Sequence, residues 1–147
     1  MAYFLQTIIG ESAHLEHVCP SGMRVVPLPL EARLALIPLT DELMDAAGWP
    51  APRALTPEEA PLLRPRVEAF LVQASHEGLI GHLQAEYWGG VGAQFACGWQ
   101  SGEQVYPSGE QSDVNGLLKL LGVQRGAHDE WDTVGLGRHR HTEDWLK

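Results

Sequence analysis

The sequence predicts an α+β domain, with a single antiparallel or mixed sheet of about five to six strands and about three helices packed mainly on one face. Three observations lead there. Short runs rich in β-branched and aromatic residues form two groups, one before residue 41 and one between residues 79 and 106. Two segments with helical spacing and capping residues separate the groups, and a third follows them. The chain has 147 residues, is 44% hydrophobic and 20% charged, and has no repeats or low-complexity runs. That suits one globular domain over 1–147.

The segment "YFLQTIIG" (3–10) is apolar on both alternating faces and reads as a central strand covered on both sides. A loop with His14, His17, Cys19 and Pro20 follows. "MRVVPLP" (23–29) and "RLALIPLT" (33–40) read as a hairpin. Pro27, Pro29 and Pro38 belong at edge or terminal positions, since proline donates nothing to a ladder. Thr40 is the expected N-cap of the next helix, with Asp41 and Glu42 where the dipole favours acids and Gly48 as its stop. The prolines from Pro50 to Pro65 mark a connection, because a domain boundary there would leave too short a first part for a core. Thr56, Pro57 and Glu59 form a capping-box start. Leu63, Val67, Phe70, Leu71 and Ala74 then share one helical face, and Gly78 ends the helix.

In "LIGHLQAEYW" (79–88), Leu79, Gly81, Leu83, Ala85 and Tyr87 point one way, and Ile80, His82, Gln84, Glu86 and Trp88 the other. This is a half-polar strand. In "AQFACGWQ" (93–100), Ala93, Phe95, Cys97 and Trp99 share a face opposite Gln94, Ala96, Gly98 and Gln100. The glycines of "GGVG" and the "SG" at 101–102 supply tight turns, so a three-stranded meander ending in "EQVY" is expected. Ser112 should cap "DVNGLLKLLG", a short helix closed by Gly122. From residue 123 onward the pattern specifies local structure least.

The net charge is −9, and of ten cationic residues only Lys119 and Lys147 are lysines. Such a field repels phosphate backbones, so no nucleic-acid partner is expected; it suits solubility alone or a protein partner with a basic surface. Cys19 and Cys97 form no C-x-x-C pair and are expected to be free thiols. The N-terminal apolar run has neither a cationic region before it nor a cleavage pattern, and no long apolar span follows. The expectation is therefore a cytoplasmic location, no membrane partner and no cofactor.

The ending "GLGRHRHTEDWLK" (135–147) concentrates the candidate chemistry. On an extended backbone His139 and His141 face one side and Arg138 and Arg140 the other. With "HDEWD" (128–132) upstream, His139, His141, Asp129 and Asp132 are candidate metal ligands, and His139, His141 and Glu130 candidate acid/base groups. The arginines oppose a divalent cation and are expected instead to pair with the acids at 129–132. Thr142 is expected to cap a final turn whose Trp145 docks on the core. Mid-chain, "EYWGGVGAQ" lacks the Lys and Ser/Thr of a phosphate loop, so nucleotide binding is not expected. His82 and Glu86 lie roughly 13 Å apart on one strand face and cannot form a contacting pair. Beside Gln94 and Gln100 they suggest a solvated sheet face suited to protein contact. The candidate binding residues are Glu86, Trp88, Arg138, His139, Arg140 and His141. No G-x-S-x-G or H-E-x-x-H motif is present to name a hydrolase or metalloprotease.

The stretches "AEYWGGVGAQ", "LLKLLGV" and "GLGRHRHTEDW" resemble a group of uncharacterised bacterial proteins that pair a Glu-aromatic-aromatic-Gly-Gly strand end with this closing segment. The likeness covers about residues 79–146. It implies no catalytic residues. In size, acidity and layout the chain also resembles small bacterial immunity proteins, which bind and neutralise a partner toxin. The leading expectation is an immunity-like protein-binding module using its acidic surface and Trp88, Trp131 and Trp145. The alternative is a small metal-assisted or acid/base enzyme using the C-terminal His/acid cluster, and a homodimer paired through the sheet edges is a third reading.

Overall fold

The expected N-terminal strand forms as β1 (Tyr3–Glu11), and the computed structural model describes residues 2–50, 63–88, 91–108 and 112–147. The hairpin forms as β2 (Val26–Leu28) and β3 (Glu31–Pro38), and the meander as β4 (Ile80–Trp88), β5 (Val91–Gln100) and β6 (Glu103–Tyr106). All neighbours pair antiparallel, in the order β2-β3-β1-β4-β5-β6. This is the α+β architecture read from the sequence. As expected, β1 is central, Pro27 lies in an edge strand and Pro38 ends β3.

The helices do not gather on one face. Leu5, Ile9, Leu34, Leu36, Leu83 and Ala96 point into a core closed by α4 (Val114–Leu120), α5 (Glu130–Val134) and the C-terminal segment. Ile8, Ala35, Ile37, Ile80, Cys97 and Trp99 point into a second core, closed by α1 (Ser12–Val18), α2 (Asp41–Ala46) and α3 (Pro65–Ala74). The physical reason is in the strands themselves: β1 and β3 are apolar on both sides, and each side must be taken from water.

Local signals account for most boundaries. The Thr40 hydroxyl accepts the Leu43 N–H at 3.1 Å, as expected of an N-cap. Pro65 opens α3 at its first turn, and Val67, Leu71 and Ala74 are buried along the anticipated stripe. The capping box at Thr56, Pro57 and Glu59 lies outside the described residues. Asp113, not Ser112, caps α4: its carboxylate accepts the Gly116 N–H at 2.9 Å. α1 forms where a loop was expected, since it buries only Leu15 and so leaves no helical stripe to read. The turn between β5 and β6 takes positive φ at Ser101 (54°) and Gly102 (80°), matching the twist of a two-residue hairpin.

Gly81 shows how closely α4 lies on the sheet. A Cβ there would stand 2.9 Å from the Cys97 carbonyl oxygen and 2.9 Å from a Leu117 methyl. The carbonyl belongs to the β4–β5 ladder and cannot yield. Gly81→Ala should therefore destabilise the protein by about 1–3 kcal/mol, read as a lower urea midpoint with an unchanged slope. A neutral result would mean that α4 does not seal this face.

The C-terminal segment completes β1. The β1–β3 ladder begins at Thr7, which leaves the earlier amides on that edge of β1 open. The Phe4 N–H donates to the Arg140 carbonyl at 2.7 Å, and the Gln6 N–H to the Thr142 hydroxyl at 3.0 Å. Phe4 and His141 thus form a parallel bridge. Thr142 serves β1 rather than capping its own turn, Thr142–Leu146. Trp145 docks in the core as expected and is 3% exposed. Among the described residues no helix is long and apolar enough to cross a membrane.

Candidate functional site

Where the C-terminal segment joins β1, it walls an open groove of about 410 Å³. Tyr3 and Tyr87, neighbours across β1 and β4, form its floor, and Trp131 of α5 stands against Tyr3 with ring centroids 5.3 Å apart. Gln94, Asn115, Asp129 and Arg140 supply the polar lining.

Three of the polar wall residues, Gln94, Asn115 and Asp129, are held by hydrogen bonds from the surrounding backbone. The Gln94 carbonyl oxygen accepts the Val114 N–H at 2.9 Å, and its amide nitrogen donates to the Tyr87 hydroxyl. The Asn115 carbonyl oxygen accepts the Trp131 N–H at 2.8 Å, and its amide nitrogen donates to Asp129 at 3.2 Å. Asp129 caps α5 through its other oxygen, which accepts the Asp132 N–H at 3.0 Å. The Tyr3 hydroxyl donates to the Leu136 carbonyl at 2.9 Å, and burial pushes its pKa well above the ordinary phenol value.

The sequence candidates divide among several places. Asp129 and Arg140 line the groove, whereas Arg138 and Asp132 line a separate depression beside Leu30. His139 packs edge-on against Trp145 with ring centroids 4.8 Å apart, His141 is exposed, and Glu130 is buried. Among the described residues no group of three or more His, Cys, Asp or Glu side chains could hold a metal ion. The expected pairing of Arg138 and Arg140 with the acids at 129–132 does not form. The ion pairs among the described residues join other partners, although Arg140 shares the groove with Asp129 and Arg138 shares the depression with Asp132.

Glu86 and Trp88 lie on the other face, at the exposed end of the β4–β5 hairpin. The solvated face expected around them is only partly solvated. The register sets Cys97 opposite His82 and Phe95 opposite Gln84, and it sets Gln94 opposite Ala85, on the groove side. His82 is consequently fully buried and packs near Phe95, with ring centroids 6.2 Å apart. Neither of its ring nitrogens has a partner among the described residues, and desolvation lowers its pKa to about 3. Both cysteines are free; burial pushes the Cys97 thiol up to about 12, and burial followed by the nearby Glu16 raises Cys19. Neither is a reactive thiolate near neutral pH.

Tyr3, Tyr87, Gln94 and Asn115 were not among the sequence candidates. Alternation puts Tyr87 on the helix-covered face, but only the pairing of β1 with β4 and the packing of α4 and α5 bring the four together. Comparison of the chain with family models, curated proteins and solved structures returned no match.

Proposed function

We propose that the chain is a protein-binding module, immunity-like in mode, that engages a basic partner through the end of the β4–β5 hairpin. One observation supports this most strongly: Trp88 leaves 75% of its surface exposed. Glu86 lies on the same strand face, and the chain as a whole has a net charge of −9. An exposed tryptophan flanked by an acid suits a contact hot spot, in which a buried ring supplies affinity and charge supplies orientation and on-rate. Trp131 and Trp145, grouped with Trp88 on sequence grounds, take other roles, one in the groove and one in the core. Edge pairing between copies has less support, since β2 is three residues long and contains Pro27, and β6 is four.

Capture from native extract by the immobilised protein tests the proposal. The expected result is a stoichiometric basic partner, released as salt rises and bound roughly 30-fold more weakly by Trp88→Ala. Absence of such a partner, or equal binding by Trp88→Ala, would overturn the reading.

A further inference from the structure

The groove between β1, β4, α5 and the C-terminal segment has a polarity of its own. A backbone N–H must meet an oxygen, so the Val114 and Trp131 amides fix Gln94 and Asn115 with their carbonyls turned to the chain. The amide nitrogens are thereby turned towards Tyr87 and Asp129, both groove residues. Each nitrogen has a second hydrogen beyond the bond it makes, and the Tyr87 hydroxyl, accepting from Gln94, keeps its own proton to donate. Arg140 adds a guanidinium, which among the described residues has neither an ion pair nor a hydrogen bond from its side chain. Among the described residues a single carboxylate, Asp129, stands against these donors, and each of its oxygens already accepts an N–H.

The lining is therefore rich in hydrogen-bond donors over aromatic walls, with one guanidinium beside one carboxylate whose oxygens are already engaged. We propose that this groove binds a small organic carboxylate with a flat, apolar body: the carboxylate meets Arg140 and the amide donors, and the ring system lies against Tyr87 and Trp131. A volume of about 410 Å³ accommodates a bicyclic acid. The arginine fork suits a planar carboxylate, and hydrogen bonds to a charged group outweigh neutral ones. This site lies on the face of the sheet opposite Trp88 and is independent of the protein contact proposed above.

Titration of the ¹⁵N-labelled full chain with 2-naphthoate, and separately with the uncharged 2-naphthamide, tests the assignment through the tryptophan indole N–H signals, with Trp131 identified from Trp131→Phe. The expected result is a saturable shift of the Trp131 signal by 2-naphthoate, with the amide binding at least roughly tenfold more weakly. Arg140→Met should weaken 2-naphthoate by a similar factor, and Arg140→Lys should retain part of the affinity. Because Arg140 joins β1 through its backbone, both variants should melt with the wild type. No saturable shift of Trp131, equal binding of acid and amide, or undiminished binding by a folded Arg140→Met would each overturn the proposal.

Discussion

Replacing Trp145 by alanine should cost about 3–5 kcal/mol of folding stability, whereas Trp145→Phe should cost less than about 1.5 kcal/mol. The ring is 3% exposed and sits in the core shared by α4, α5 and the sheet. Its edge-on contact with His139 ties it to the strand-like residues that complete β1. Truncation to alanine opens a cavity beneath a segment that has little other apolar anchorage than Leu136. Phenylalanine keeps most of the packing and removes an indole N–H that is buried without a partner among the described residues. For a domain whose total stability falls within about 5–15 kcal/mol, the alanine change is large. Guanidinium unfolding followed by circular dichroism measures both variants. If Trp145→Ala cost under about 1 kcal/mol, the C-terminal segment would not be part of the core.

Acid should weaken the fold through His82. Its pKa is lowered to about 3 in the folded chain by burial, against 6.5 for the ordinary imidazole. The unfolded chain therefore binds a proton between these values that the folded chain refuses, and stability rises with pH across that window. The contribution is complete above 6.5 and is lost as pH falls, reaching on the order of 3 kcal/mol by about pH 4. Asp144, held below its usual range chiefly by its hydrogen bond from Lys147, acts in the same direction, but only below an unfolded value near 3.8. His82→Leu removes the titration while keeping an apolar side chain in an apolar site. Its stability should change less steeply than wild type between about pH 4 and 6.5, by about 1.4 kcal/mol per pH unit. Parallel profiles for the two proteins would show that His82 gains a proton without unfolding.

His82 also marks the limit of reading this chain residue by residue. Alternation correctly put it with Gln84, Glu86 and Trp88 on one face of β4, and that face looked polar. What lay beside it depended on the register with β5, which brings Cys97 and Phe95, so only the hairpin end remains in water. The helices were similarly half legible. α2, α3 and α4 carry caps or stripes that alternation and spacing reveal, while α1 buries a single residue without a side-chain cap and α5, though capped by Asp129, spans only five residues. Of the candidate site, Asp129, Trp131 and Arg140 stood out as charges and an aromatic near the end of the chain. Tyr3, at the other end, offered no signal of its own.

By itself the sequence determined the strands, their two faces, the turn at 101–102 and the helices α2, α3 and α4, because period-two alternation, proline, glycine and helical spacing act within a few residues of themselves. The division of helices between both faces was decided only by folding, as were the burial of His82 and the closure of the groove by the C-terminal segment. The first follows from β1 and β3 being apolar on both sides, the second from the register of β4 with β5, and the third from pairings such as Phe4 with Arg140, far apart in the chain, whose energy exists only once the sheet has set their register.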